Sequence, residues 1–247
     1  MLPESALYYR SFDGTLHPLD SSDKNLPILT RVNLNQWSCY VPQGKEPSNH
    51  NTFHSVSNIL KLTQNDRTKK ALHEWEVRVG KTEAKHIRDE AIRAGNAIHT
   101  YLHSYLTKGE GKPVIKAYES YFYALKQLLP KFGDSFFSEQ LIVSFKHQYF
   151  GKFDQFGLYR ESLTISDLKT SLKPKYSLDW IQDKILQLTA YYIPIEALYP
   201  VEKAALIYLI SDGSYNEFLF TPEQMESYKE IWLERLSQVN EMMSSAA

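Results

Sequence analysis

The sequence lacks the features of a disulfide-stabilised, membrane-embedded or strongly basic protein. Cys39 is the single cysteine among 247 residues, which excludes an internal disulfide and a four-cysteine metal or iron–sulfur site. No run of about eighteen apolar residues occurs, so a membrane span is not expected. The formal net charge of −1 gives no overall basic field for nucleic acid, although a local basic groove stays compatible with it.

The first residues also lack the features of a targeting segment. Residues 1–10 have neither the basic and apolar regions of a signal peptide nor the Arg- and Ser-rich composition of a transit peptide. Apolar residues make up 43% and charged residues 23%, which is ordinary for a globular protein. We therefore expect a soluble, intracellular protein.

The N-terminal third is expected to be poor in long regular elements. Residues 1–52 contain five prolines and turn pairs such as Asp13-Gly14, which predict an irregular appendage with one or two short strands. Two helical stretches follow within residues 53–81. The second carries Trp75, either as an anchor between helices or as a base-stacking side chain.

From Thr82 onward the periodicity predicts helix, helix, three strands, helix, two strands, helix. This order is typical of an α/β fold with a mixed sheet flanked by helices. The helices are predicted over 82–107, from 114, over 177–198 and from 221, and the strands over 138–145, 148–159, 162–170, 203–211 and 217–220.

Three charged residues on two adjacent predicted strands are candidates for chemistry. Asp167 and Lys169 are two residues apart, so on a strand they share one face. Asp154 comes from the preceding strand. Two carboxylates beside an ammonium could bind a divalent metal and activate water. The alternative is a cross-strand salt bridge on a solvated face.

Further candidates lie before and after this strand pair. Gly95 is disfavoured inside a helix, and His99 is one turn further on the same face, either as a packed histidine or as a ligand. Glu139 begins the first strand, either as an exposed strand-end residue or as a partner of the acidic pair. Gln187 and Tyr191 share one face of the following helix and can form hydrogen bonds.

Taken in order, these motifs resemble those of the PD-(D/E)xK nuclease superfamily, and within it the RecB-type branch. That branch adds an upstream Gly-x-x-x-His and a downstream Gln-x-x-x-Tyr. The segments at 55–60, 75–80 and 83–84 are similar to the family of mitochondrial genome maintenance and related phage exonucleases. The resemblance covers roughly residues 53–235. One departure is Phe153-Asp154, where the superfamily has Pro-Asp.

The resemblance implies a fold and an activity. Residues 53–243 would form the nuclease domain, with a helical arch over 53–81 and a restriction-endonuclease-like αβββαβ core over 82–243. The activity would be a metal-dependent DNA exonuclease, hydrolysing phosphodiester bonds of single strands or duplex ends. The alternatives are a structure-specific endonuclease of the same fold and a non-catalytic DNA-binding protein that retains it.

The resemblance also implies roles for the candidate residues. His99, Asp154, Asp167 and the backbone carbonyl of Leu168 would bind one or two Mg²⁺ or Mn²⁺ ions. Lys169 would orient or deprotonate the attacking water. In addition, Glu139 would hold a second metal or a metal-bound water, and Gln187 and Tyr191 would hydrogen-bond the water, a phosphate or Lys169.

The expected partner is DNA with a free end, and neither a membrane nor an iron–sulfur cluster is expected. A monomer is favoured, in the cytoplasm, which would be the host cytoplasm if a phage encodes the chain. Eight residues are expected to contact DNA: Gly95, Thr170, Ser171, Lys173 and Lys175 beside the site, and Phe53, Trp75 and Arg78 in the arch.

Overall fold

The protein is an α/β fold in which helices flank a mixed, largely antiparallel sheet, as seen in a computed structural model that describes residues 2–34, 37–48 and 51–244. The strands are β1 (Ser5–Arg10), β2 (Leu16–Pro18), β3 (Leu29–Leu34), β4 (Trp37–Pro42), β5 (His54–Ser55), β6 (Phe132–Ser144), β7 (Tyr149–Tyr159), β8 (Ser162–Ser171), β9 (Lys203–Ile210) and β10 (Tyr215–Phe220). The helices are α1 (Val56–Leu62), α2 (Asp66–Val79), α3 (Lys81–Lys108), α4 (Glu119–Leu128), α5 (Gln182–Glu196) and α6 (Pro222–Ser244). Short 3₁₀ turns occupy Lys116–Tyr118, Leu129–Lys131 and Leu178–Ile181.

The strands form one sheet with the order β10-β9-β8-β7-β6-β1-β2-β3-β4, and β5 pairs with the first residues of β7. The β8–β9 pair is parallel, because α5 crosses from the end of one strand to the start of the other. The β5–β7 pair is also parallel, whereas the remaining neighbours in this order are antiparallel. The sheet is therefore mixed.

Helices cover both faces of the sheet at β9. Its residues alternate between two cores: 204, 206, 208 and 210 pack with α1, α5 and α6, and 205, 207 and 209 pack with α3 and α4. A strand buried on both faces needs apolar residues at successive positions, which explains the run Ala204–Ile210.

The element order predicted from Thr82 onward is confirmed. Among the elements that carry candidate residues, two bounds differ by several residues. The strand predicted over 138–145 begins at Phe132, so Glu139 lies inside β6 and not at its start. The predicted helix over 177–198 begins as a 3₁₀ turn and becomes α-helical only at Gln182. Ser177 caps that turn, since its side chain accepts a hydrogen bond from the Asp179 N–H at 3.3 Å.

The N-terminal region is more regular than its sequence predicts. Instead of an irregular appendage, β1 to β4 continue the central sheet, and β1 pairs antiparallel with β6, for example Ala6 with Val143. Tyr8, Leu16 and Leu29 are fully buried in a core that these strands share with β6 and β7. The pairing partner lies far along the chain, so local periodicity could not show it.

The two helices before α3 differ in how they contact the rest of the protein. Val56 and Ile59 of α1 are buried against α5 and α6. By contrast, α2 has no buried residue and lies against α3. Gly80 joins α2 to α3 with a φ of 87°, a conformation that favours glycine.

None of the helices within residues 2–34, 37–48 and 51–244 is both long and apolar enough to cross a membrane.

Candidate metal and catalytic site

The candidate site lies where the ladder between β7 and β8 ends. The last pair of this antiparallel ladder joins Gln155 to Ser166, and Asp154 and Asp167 are the next residue on each strand. The Asp154 carboxylate accepts a hydrogen bond of 2.6 Å from the backbone N–H of Leu168. The Asp154 side chain therefore replaces the next backbone hydrogen bond of the ladder, and Asp154 is held where the two strands separate.

Glu139 reaches the same point from β6. The flanking pairs, Ser138 with Gln155 and Gln140 with Phe153, place Glu139 opposite Asp154. The backbone φ of Glu139 is 56°. This conformation costs a non-glycine residue on the order of 1–3 kcal/mol, and residues that adopt it are concentrated at functional sites. With this backbone conformation, the Glu139 carboxylate points toward α3.

His99 approaches from α3, whose neighbouring residue Ile98 is buried in the core beneath it. The His99 Nδ1 atom is 3.3 Å from Glu139 Oε1 and 3.4 Å from Asp154 Oδ2. Each of these three residues offers one ligand atom, and the three atoms lie within 4.8 Å of one another. One imidazole and two carboxylates suit Mg²⁺ or Mn²⁺, so the donor set fits the expected metal.

Asp167 and Lys169 share one face of β8, as their spacing predicts. The Lys169 ammonium forms an ion pair with Asp167 Oδ2. Asp167 is 1% exposed. Apart from the ion pair with Lys169, Asp167 Oδ2 has no hydrogen-bond partner among the described residues. Asp167 is not among the three residues whose ligand atoms converge, so its role as a metal ligand stays a prediction, as does that of the Leu168 carbonyl.

The charges of the site shift one another's pKa values. Burial and the nearby Asp167 raise the pKa of Asp154 to about 6, although His99 and Lys169 oppose the shift. Burial alone would raise the pKa of Glu139, but hydrogen bonds from His99 and Lys152 lower it to about 2.

The two cationic residues are stabilised in their charged forms. Burial opposes protonation of His99, but Asp154 and Glu139 outweigh it and raise its pKa. Burial likewise opposes the charge of Lys169, and Asp167 and Asp154 outweigh it, so its pKa is also raised. Compact mixtures of buried carboxylates and cations with shifted pKa values are typical of functional sites.

The sequence matches no protein-family model and no curated protein. The functional interpretation of the chain therefore depends on the arrangement of its own side chains.

Gln187 and Tyr191 lie on one face of α5, as predicted. Gln187 Nε2 donates a hydrogen bond of 3.2 Å to the Tyr191 hydroxyl. Gln187 Oε1 is buried and has no partner among the described residues. The Tyr191 ring lies directly against Gly151, where a Cβ would come within 2.4 Å of the ring Cε1 atom.

The residues expected to contact DNA beside the site lie near the end of β8. A Cβ at Gly95 would be 3.9 Å from Thr170 Oγ1, so this face of α3 adjoins β8 just beyond Lys169. Ser171 ends the strand, and Lys173 and Lys175 follow in the next loop, the first exposed and the second half-buried. A cleft of about 330 Å³ opens here between α3 and β8; it is lined by Glu90, Tyr118, Tyr121, Thr170, Ser171 and Leu172 among others.

The three residues expected in an arch have different environments. Phe53 is 4% exposed and packs edge-on against Phe145 at 5.7 Å, so its ring is not available for stacking on a base. Trp75 is half-buried on α2, with the Arg88 guanidinium 5.9 Å from its ring centre. Arg78 is exposed on the same helix.

Lys152 is a residue of the site that the sequence analysis did not single out. Its ammonium forms an ion pair with Glu139 Oε2. The available signal was the period of two along β7, which places Lys152 on the same strand face as Asp154.

Proposed function

We propose that this protein is a metal-dependent DNA exonuclease that hydrolyses phosphodiester bonds of single strands or duplex ends. The observation that carries the proposal is the convergence of His99, Glu139 and Asp154 at one point, with the Asp167–Lys169 ion pair on the adjoining strand. A charged amine beside a set of hard metal ligands is the arrangement that metal-assisted hydrolysis requires.

The proposal includes a restriction-endonuclease-like core. The elements after α4 follow the order β6, β7, β8, α5, β9. With the helix that precedes them, this is the αβββαβ order of that core. The position of α2, outside the core and against α3, is compatible with a helical arch beside the site.

In this proposal His99, Glu139 and Asp154 would hold Mg²⁺ or Mn²⁺, with Asp167 and the Leu168 carbonyl as further ligands. The bound ion would lower the pKa of a coordinated water and stabilise negative charge on the phosphate. Lys169, fixed by Asp167, would donate a hydrogen bond that orients the attacking water. Gln187 Oε1, which is buried without a partner among the described residues, offers a further hydrogen-bond acceptor from α5.

The decisive experiment is digestion of an oligonucleotide labelled at either end, as a linear strand and as a closed circle, with Mg²⁺ or Mn²⁺. We expect degradation of the linear strand and an intact circle. Lys169→Ala is expected to lower the rate by about 10²–10⁴-fold, the usual contribution of such a group, and to retain binding of DNA in the presence of Ca²⁺. Lys24→Ala, an exposed lysine in the N-terminal region, is the matched control.

Cleavage of the circle would favour the endonuclease alternative. Binding of DNA without any product, unaffected by chelation of metals, would favour the non-catalytic alternative. Undiminished cleavage by both Lys169→Ala and Asp167→Ala would refute the assignment of the site.

A further inference from the structure

The loop that follows β8 exposes large apolar side chains shortly after Asp167 and Lys169 in the chain. Leu172, Tyr176 and Trp180 are 69%, 78% and 69% exposed. Neither aromatic ring contacts another ring or a cation within the described part of the chain. Exposed aromatic side chains concentrated in one short segment indicate a binding surface.

The backbone of this loop is nevertheless held in place at both ends. Ser211 Oγ donates a hydrogen bond of 3.0 Å to the Leu172 carbonyl, and the Lys175 N–H donates one of 2.9 Å to Asn216 Oδ1. Near the far end, the Trp180 N–H donates to the Ser177 carbonyl at 3.2 Å. These bonds constrain the backbone before any ligand binds, so less of the loop would have to be ordered on binding.

We propose that Tyr176 and Trp180 form a stacking platform for bases of a single-stranded DNA substrate. This inference rests on the proposed function and identifies where the substrate strand lies. Lys173 and Lys175 alternate with the apolar side chains, and single-strand binding surfaces combine such cationic groups with aromatic rings.

The separation along the chain is short enough for one continuous strand to reach both the site and the platform. Tyr176 is seven residues after Lys169, so the two are separated by at most roughly 25 Å of fully extended chain. A strand with its reacting phosphate at Lys169 would therefore place bases a few nucleotides away on the platform. A duplex end exposes only the outer face of its last base pair, so its other bases could not stack on the platform, which would make the platform selective for an unpaired strand.

The test measures binding of fluorescein-labelled oligodeoxythymidylate by anisotropy, in Ca²⁺ to prevent cleavage. Tyr176→Ala and Trp180→Ala are each expected to weaken binding by roughly tenfold, the effect of losing about 1.4 kcal/mol of base stacking. Trp180→Phe should restore most of the affinity. Binding of a blunt hairpin duplex is expected to change by less than about threefold.

Phe12→Ala, which removes a fully exposed aromatic ring from the N-terminal region, is the matched control and should bind like the wild type. Wild-type affinity in the Tyr176→Ala/Trp180→Ala double variant would overturn the proposal. So would a double variant that binds DNA normally but changes from dimer to monomer in sedimentation, because the surface would then join two copies of the chain.

The platform and the nuclease activity can fail separately. If the wild type cleaves the linear strand and the platform variants bind and cleave equally well, only the platform is refuted. If the wild type cleaves nothing but its binding depends on Tyr176 and Trp180, the platform is supported and the nuclease is refuted.

Discussion

The Asp154 carboxylate accepts a hydrogen bond from the Leu168 N–H at 2.6 Å, across the point where the β7–β8 ladder ends. The same oxygen is 3.4 Å from His99 Nδ1. Asp154 therefore holds two strands in register while it also contributes to the candidate metal site. These two roles can be separated, because the hydrogen bond needs only an acceptor, whereas a divalent ion binds a charged carboxylate more strongly than a neutral amide oxygen.

We expect Asp154→Asn to keep the fold and to weaken binding of the proposed metal. An asparagine oxygen can still accept from Leu168, whereas Asp154→Ala leaves that N–H unpaired at a cost of roughly 1–3 kcal/mol. Urea unfolding without metal should therefore rank the alanine variant below the asparagine variant. Mn²⁺ should raise the melting temperature of the wild type but of neither variant. A normal Mn²⁺ response in Asp154→Asn would contradict this prediction.

The sequence predicts the parts of the site that lie on one element. The spacing of Asp167 and Lys169 on a strand, and of Gln187 and Tyr191 on a helix, is sufficient to place each pair on one face. The structure confirms both pairs through direct contacts.

Periodicity alone could not predict which residues from different elements converge; only the resemblance of the ordered motifs grouped His99, Glu139 and Asp154. Glu139 faces Asp154 because β6 and β7 pair in a particular register and because its φ is 56°. Nothing in the residues near Glu139 requires that conformation. Lys152 was missed for the same reason, since its partner lies on another strand.

Gly151→Ala is expected to distort the site by displacing Tyr191 of α5. A Cβ would lie 2.4 Å from Tyr191 Cε1 and 3.0 Å from Val56 Cγ2, so the ring and α1 would both have to move. Such overpacking usually destabilises a protein by about 1–3 kcal/mol. Thermal unfolding measures the loss, and near-ultraviolet circular dichroism reports displacement of the tyrosine. A variant as stable as the wild type, with an unchanged spectrum, would show that Tyr191 is not confined there.

Gly95→Ala is expected to have the opposite effect on stability. The nearest atom outside its own helix is Thr170 Oγ1 at 3.9 Å, an ordinary contact, and alanine favours a helix by up to about 1 kcal/mol over glycine. If DNA approaches α3 here, the added methyl group should weaken oligonucleotide binding while the melting temperature rises. Thr100→Ala, at an exposed position of the same helix, is the control. Higher stability with unchanged binding would exclude close approach of DNA at Gly95.

The interactions of Glu217 predict how the free energy of unfolding changes at acid pH. Its carboxylate on β10 accepts hydrogen bonds from Arg160 Nη2 at 2.7 Å and from Lys131 Nζ at 2.9 Å, and it also contacts the Tyr159 hydroxyl. Burial would raise its pKa, but these three partners outweigh burial and lower it from 4.5 to about 2.

A carboxyl group whose pKa is lower in the folded protein stabilises the fold above its unfolded pKa, and this contribution is lost as the pH falls toward 2. Glu217→Gln is therefore expected to destabilise the protein at pH 7, by roughly 1–3 kcal/mol for hydrogen bonds to a charged group. The difference from the wild type should decrease between about pH 4.5 and 2. Urea unfolding across that range measures it.

Glu4→Gln is the control for Glu217, because Glu4 forms an exposed ion pair with Lys146 at 3.0 Å. Exposed pairs contribute about 0–1 kcal/mol, so this variant should differ little from the wild type at any pH. A Glu217→Gln effect that stays constant from pH 7 to 2 would mean that packing at this position, and not the charge of Glu217, joins β10 to the β7–β8 turn.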